Sequence, residues 1–396
     1  MGEVGDVGCR QDWWILFHDL SNARNCPTIH RLPLASPDLG PIRIPVASIT
    51  QIASSANVSR AAASLILNQA PGHERFSPDI RARVMESAKR LGWVRDWLSN
   101  ALRSGTTGVL ALGLHWQGRA SGLQQSLLAE VQEAAGSRGL GLLVVGGGGA
   151  AAAAAVGERR CDAALAVGWE LTAADRAALG TCRHAVLGRV PEGLAGVELD
   201  VASGIVEGVA HLAGLGHRRV AWLHRRGNVD AEIRQQACVE ACARRGLDLD
   251  CIALPKASRH GDGDGDADEV AALRRGVLAV GGRLDRCTGI ICYNDLIALG
   301  VYAAARELGR RIGAEWSVIG FDDVHAALAQ PGMTSVSAEF ATQAQAALDL
   351  LSGAGPVAVR RVASRLVVRD STGAPVEPGS APAPVAGGAA RGRRRR

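Results

Sequence analysis

The sequence predicts a small helical head, a short hinge helix and a larger α/β core. Three observations carry that prediction: a helix-turn-helix pattern between Ser48 and Gln69, a helix-forming stretch from Val94 to Gly105, and apolar strand-like segments alternating with helical ones from Thr106 to about Asp370. A chain of 396 residues has room for two or three such units.

The head begins at Ser48. Gln51 stands three residues on, the spacing at which a cap and the first turn satisfy each other's free backbone donors. Ile49, Ile52, Ala53 and Ala56 then recur at helical spacing and make one apolar face. Asn57 tolerates the left-handed conformation that ends a helix, Val58 can fill the angle between two helices, and Ser59 caps a second helix through Leu67. Two short helices on a tight turn offer the second one to a DNA major groove. Pro71-Gly72 breaks the chain, Ser77 caps a third helix with Pro78 in its first turn, and Ile80, Val84, Ala88 and Leu91 line one side of it.

Charge supports a nucleic-acid reading of that head. The formal charge of +5 equals the contribution of Arg391, Arg393, Arg394, Arg395 and Arg396, so the rest of the chain is neutral. Within that rest, residues 46–105 hold eight Lys/Arg against Glu74, Asp79, Glu86 and Asp96. Positive charge is thus concentrated where phosphate contact would need it.

From 106 onward, apolar runs at Gly108–Leu114, Gly139–Val145, Ala163–Val167, Arg219–Leu223, Thr288–Tyr293 and Ser317–Phe321 alternate with helical stretches. That alternation predicts parallel sheets covered on both faces. Ligands of such sheets bind beyond the carboxyl ends of the strands. The domain boundaries that follow are 1–45 (a disordered extension), 46–93 (head), 94–105 (hinge helix), 106–370 (core) and 371–396 (a disordered Gly/Ala/Pro and Arg-rich tail able to add nonspecific attraction to DNA).

Several function classes recede. No apolar run reaches the length of a membrane span, and Trp13 to Phe17 is too short and too closely flanked by Asp12, His18 and Asp19 for a secretory leader, so a cytoplasmic location is expected. Nine cysteines show no C-x-x-C pair and no His at zinc spacing, which favours reduced, buried thiols. The stretch His260 to Glu269 alternates carboxylates as a calcium loop does, but counting from Asp262 its sixth and twelfth positions are Ala267 and Leu273, where Gly and Glu are required. Gly146 to Gly149 lacks the Lys-Ser/Thr of a phosphate-binding loop and reads as a flexible connection before Ala150 to Ala155. No catalytic triad, carboxylate pair or metal set emerges, so neither enzyme chemistry nor a cofactor is expected.

The pattern I-T-Q-I-A-x-x-A-N-V-S-x-x-x-x-S-x-I-L-N from Ile49, followed by Ser77-Pro78 and Leu91-Gly92-Trp93, resembles the headpiece of LacI/GalR family regulators. The likeness continues in D-V-A-S-G from Asp200, H-L-A-G-L-G-H-R-R-V-A from His211, I-C-Y-N-D-L-I-A-L-G from Ile291 and S-V-I-G-F-D-D from Ser317. Ala62 and Ala63 stand where the family commonly has Thr and Val. The resemblance implies a two-lobed, periplasmic-binding-protein-like α/β sensor behind the headpiece and hinge. It implies a homodimer on a palindromic double-stranded DNA operator, acting as a repressor under a small-molecule effector, a carbohydrate by preference. Thr50, Ser59 and Asn68 would then position the head on the DNA backbone, with Ser48 in the same set, while Arg60, Ala61 and Ser64 face base edges. Leu102, preceded by the small Ser99, matches the hinge leucine that wedges into the minor groove.

Effector contacts carried over with the local motifs are Asp200, Arg234, Asn294 and Asp322. For Asn294 and Asp322 a helix or turn cap is the competing role. Ala237 and Cys238 replace the Gly and aromatic usual after Arg234, and Leu114 to Arg119 lacks the usual Asn-Pro-aromatic sequence. Trp116 in that stretch is either an aromatic platform for the effector or a cover for the cleft. The rival reading is a cytoplasmic sugar-binding module that does not act on DNA.

Overall fold

The computed structural model describes residues 47–94, 97–115, 122–225, 229–255, 266–353 and 358–376. The expected extension at 1–45, Trp116 and the acidic stretch to Gly265 lie outside the described residues, as does the tail beyond 376.

The head contains α1 (Ile49–Ser55), α2 (Arg60–Leu67) and α3 (Pro78–Arg90). Ser48 and Gln51 form the expected reciprocal cap, with the Ser48 N–H donating to Gln51 Oε1 at 2.8 Å. Asn57 takes a φ of 51° between α1 and α2, and the Ser59 hydroxyl accepts the Ala62 N–H at 3.1 Å. Ile52, Ala63, Ile66, Leu67, Val84 and Ala88 fill a single small core. Leu91 is 37% exposed, outside that core, because α3 ends at Arg90 and the chain turns away. The hinge segment forms α4 (Trp97–Ser104), and Leu102 on it is 80% exposed. Beyond it Asp162 clamps the chain: its carboxylate accepts the Thr107 N–H at 2.7 Å, the Thr107 hydroxyl at 2.9 Å and the Gly108 N–H at 2.7 Å.

The first lobe then builds β1 (Val109–Leu114), α5 (Gly122–Gly136), β2 (Gly141–Gly146), α6 (Gly148–Gly157), β3 (Ala163–Val167), α7 (Ala173–Leu179), β4 (His184–Gly188) and β5 (Gly196–Asp200). The second lobe continues with α8 (Val201–Gly214), β6 (Arg219–Arg225), α9 (Val229–Arg245), β7 (Asp248–Leu254), α10 (Asp266–Ala279), α11 (Gly281–Leu284), β8 (Gly289–Cys292), α12 (Asp295–Glu307), β9 (Ser317–Asp322) and β10 (Thr334–Ser337). The chain returns to the first lobe as α13 (Phe340–Ser352) and β11 (Val359–Ala363), then ends in the second as β12 (Arg365–Val367).

Each lobe is one six-stranded sheet, in the orders β11-β5-β4-β3-β1-β2 and β12-β10-β9-β8-β6-β7. The first sheet is parallel throughout; the second is parallel except for the edge strand β12, which runs against β10. Both faces of each sheet carry a packed layer of apolar side chains, the burial expected of parallel sheets.

Three crossovers join the lobes, at Asp200–Val201, between β10 and α13, and at Ser364 between β11 and β12. They are tied together. Ser364 donates its hydroxyl to the Asp200 carbonyl at 2.7 Å and accepts the Gly204 N–H at 3.0 Å. A Cβ on Gly204 would lie 2.3 Å from Val336, so the crossovers touch there.

Two expectations change. The glycines before Ala150 open an ordered ten-residue helix, α6, and are not a loose connection. Gly147 and Gly148 adopt φ of 95° and 68°, and the α6 backbone presses so near β1 that a Cβ on Gly113 would meet the Gly148 carbonyl at 2.0 Å. The core also outlasts its expected end at 370. Ser371 is buried, donates to the Val318 carbonyl at 2.6 Å and accepts the Thr334 N–H at 2.8 Å, so the chain stays packed where a disordered tail was expected to begin.

Candidate functional site

Between the lobes lies a cleft of about 680 Å³, at the carboxyl ends of β5 and β9 and walled by α9 and the crossovers. Asp200, Arg234, Asn294 and Asp322 all line it. The four effector residues carried over from the sequence and described in the structure therefore come together, although 122 positions separate the first from the last.

Arg234 is their centre. Held on α9, it donates from Nη1 to the Tyr293 carbonyl at 2.6 Å and from Nη2 to Asp322 Oδ1 at 3.2 Å. Its guanidinium lies 3.6 Å from the Phe321 ring centroid and 4.7 Å from that of Tyr293, a stacked cation–π arrangement. Arg234 Nε is buried with no protein partner, a donor available to a ligand. Burial pushes the Asp322 carboxyl above its ordinary range, and Arg234 beside it only partly opposes that. The Asp322 backbone sits at φ 95° and Asp323 at φ 56°, the left-handed region that costs a non-glycine residue about 1–3 kcal/mol.

The competing capping roles separate residue by residue. Asn294 does cap α12, its Oδ1 accepting the Ile297 N–H at 3.0 Å, while still facing the cleft. Asp322 is an ion-pair partner and caps no helix. Asp200 caps α8: it accepts the Ala202 and Ser203 N–H groups at 3.0 and 3.4 Å and the Ser203 hydroxyl at 2.6 Å. That hydroxyl bond is the main reason its carboxyl is held below the ordinary range.

The first lobe supplies what the sequence reading left out. Trp169 lines the cleft and lies against Gly188, where a Cβ would come within 2.6 Å of the ring. An aromatic platform is therefore present, from a different tryptophan than Trp116. Its signal in the sequence was position alone: Gly168-Trp169 directly follows the strand Ala163–Val167. Arg189 and Arg361 also line the cleft; Arg189 reaches Asp230 of the other lobe at 3.7 Å, and Arg361 reaches Glu198 at 3.1 Å.

Beside the cleft, at the end of β1, His115 Nε2 lies 2.8 Å from Asp175 Oδ2. Asp175 is buried and also accepts the Thr172 hydroxyl at 2.6 Å and the Ala150 N–H at 2.8 Å. Burial alone would raise this carboxyl, but the bonds from Thr172, His115 and Ala150 bring it down to about 2.

On the head, Ser48, Thr50, Ser59, Arg60 and Ala61 are exposed, and Ser64 and Asn68 half-buried. Arg60 and Ala61 open α2 on its solvent side, while Ala62 and Ala63 are buried. Asn68 Nδ2 donates to the Ser64 carbonyl at 2.8 Å, which closes α2. Ser99 falls within α4, and its side chain lies outside the described residues.

A helix-turn-helix head on two sheets that share a polar cleft and three crossovers defines a headed, periplasmic-binding-protein-like fold. A family model for the periplasmic binding protein-like domain matches residues 209–372. An HTH-type transcriptional regulator from the aml 5′ region of Streptomyces limosus is 32% identical over 183 residues, 44% of this chain and 50% of that protein. The lactose operon repressor of Escherichia coli is 30% identical over 149 residues, 36% of this chain and 38% of the repressor. The chain thus spans half or less of the length of these curated relatives. The crystal structure of the lac repressor dimer bound to operator and the anti-inducer ONPF shares the fold with a TM-score of 0.64 and 22% identity, over 83% of this chain and 100% of that one. Over these stretches the chain is similar to LacI/GalR-type regulators, and it shares their two-lobed fold.

Proposed function

We propose that this protein is a sequence-specific DNA-binding transcriptional repressor whose operator affinity is set by a small carbohydrate bound between the lobes. It works as a cytoplasmic homodimer on a palindromic site, and it is not an enzyme. The observation that carries this reading is the exposure of Arg60 and Ala61 at the start of α2, in a chain whose inter-lobe cleft gathers Arg234, Asp322, Asn294 and Asp200. Each of the three arginines on the cleft wall has a carboxylate partner, so the cleft suits an uncharged, hydroxyl-rich ligand better than an anion. Trp169, Tyr293 and Phe340 add ring faces for the apolar side of a sugar. The names of the relatives, an operon repressor and an operator complex, agree.

Arg60 is the one long donor on the reading surface. Bidentate to a guanine, it would discriminate by about 1–3 kcal/mol. Effector binding would change the angle between lobes and so the placement of α4, a coupling of about 1–3 kcal/mol. A gel shift against DNA upstream of candidate genes, with and without sugars, tests the whole reading. Wild type should select one palindrome, R60A should alter the preferred half-site, and a sugar should shift the affinity. Equal retention of every duplex would leave the binding-module reading in its place.

A further inference from the structure

From the geometry of the turn after β9 we infer that Asp295 and Arg369 are positioning residues for the cleft: they hold residues 322–325 in the shape that brings Asp322 to Arg234. The inference rests on the cleft being the effector site. Two successive non-glycine residues in left-handed backbone do not hold that shape by themselves. Here the turn is fixed from two sides. Asp295, at the start of α12, is 1% exposed; its Oδ2 accepts the Val324 N–H at 2.8 Å and the His325 N–H at 3.0 Å. Its Oδ1 accepts the Ser335 hydroxyl at 2.6 Å, and Ser335 Oγ in turn accepts the Asp323 N–H at 3.3 Å. Three consecutive backbone donors of the turn therefore end on one buried carboxylate, directly or through Ser335.

The space for that carboxylate is built in. A Cβ on Gly320 would lie 2.3 Å from Asp295 Oδ1, so glycine at this point of β9 is what lets Asp295 reach the turn. From the other side Arg369 forks onto Asp323, Nη1 to Oδ1 at 2.7 Å and Nη2 to Oδ2 at 3.2 Å, while Nη1 also donates to the Met333 carbonyl at 2.8 Å. Neither residue is among those lining the 680 Å³ cleft. Asp295 does border a small adjoining cavity of about 170 Å³ with Asn294 and Asp322, and the role assigned to both residues is the place they give Asp322.

The test is amide hydrogen exchange on the full chain, read at residues 322–325 against the strands β6, β8 and β9, with sugar titration as a second arm. D295A should speed exchange at 323–325 by about tenfold with the strands unchanged, since Val324 and His325 lose their acceptor and Ser335, which accepts from Asp323, loses the group that orients it. D295N should exchange as wild type, because an amide oxygen can keep both backbone donors while its NH₂ donates to a turned Ser335 hydroxyl. R369M should release residues 322 and 323 first. If D295A does not fold, S335A, which frees only the Asp323 N–H, carries the same expectation for that amide. Wild-type protection in all of these variants, or acceleration spread evenly over the strands, overturns the positioning role. In the second arm, lactose, cellobiose and galactose are titrated by calorimetry: a sugar bound by wild type should bind D295N within a few-fold and D295A at least about tenfold more weakly. Binding of the same sugar by D295A with wild-type affinity overturns the inference. If wild type binds none of the three, the carbohydrate reading is what fails, and the exchange arm still decides the role of Asp295.

Discussion

Each lobe buries one aspartate near the cleft, and the two behave oppositely. Asp175 in the first lobe is held down to about 2, whereas Asp295 in the second is pushed up to about 7. Both are almost wholly removed from water, at 1% exposure each, and burial is the first cause acting on both. The difference lies in what surrounds them. Asp175 accepts the Thr172 hydroxyl and N–H, a bond from His115 and the Ala150 N–H, and these four hydrogen bonds outweigh burial. Asp295 has Ser335 and two backbone N–H groups, but its charged neighbour is the carboxylate of Asp322. Asp295 also lies deeper among protein atoms, so the protonation of each acid follows from its desolvation set against the hydrogen bonds and charges that reach it.

Four measurements would break or sharpen that contrast. The largest effect is expected at the Arg234–Asp322 ion pair, where a second-lobe carboxylate does have a cation. R234A strips Asp322 of its partner and should cost about 3–5 kcal/mol, read as a fall in unfolding free energy by denaturant titration. A loss under 1 kcal/mol would mean that the Asp322 carboxyl is already neutral. D175N comes next, at about 1.5–3 kcal/mol, because an amide cannot accept from Ala150 on one side and from Thr172 and His115 on the other. D295N meets no such conflict, so the two isosteric changes should separate clearly in the same titration. A pH series of local hydrogen exchange comes third. The stabilisation from Asp175 is complete above about 3.8 and should vanish from the first lobe as pH falls through about 2. That from Asp295 is complete below about 3.8 and should leave the second lobe as pH rises through about 7. Parallel responses in both lobes would contradict the opposite shifts. The smallest effect belongs to T172A, which removes the α7 cap and one Asp175 donor; about 1 kcal/mol, confined to α6 and α7, is expected.

The same division marks what could be read beforehand. The motifs around Asp200, Ile291 and Ser317 put Asp200, Asn294 and Asp322 where the cleft has them, two of the three on the second lobe, and the family model likewise covers 209–372. In the first lobe the chain departs from the family's sequence at Leu114 to Arg119, and Trp169 and Arg189 emerged only from the fold. Strands were legible where a solid apolar run is buried on both faces, as in Ala163–Val167, which came out with its bounds unchanged. Those that escaped have a reason. β7, with Asp248 and Asp250, is an edge strand of the second sheet that places carboxylates toward solvent, and β11, an edge strand of the first sheet, carries Arg360 and Arg361. β4 and β5 are five residues each, too short between glycines to show a period. The glycine run at 146–149 misled because its small size serves close approach of α6 to β1, a tertiary contact that a local reading assigns to looseness.

The clamp at Asp162 has a mechanical consequence. Its three bonds fasten Thr107 and Gly108 to the first lobe, while Gly105, just before them, adopts φ 74° with open space around it. The swivel of the hinge is thereby confined to the link between α4 and the lobe. Thr107 and Gly108 therefore belong mechanically to the first lobe, and the freedom left to α4 lies at Gly105 and Thr106.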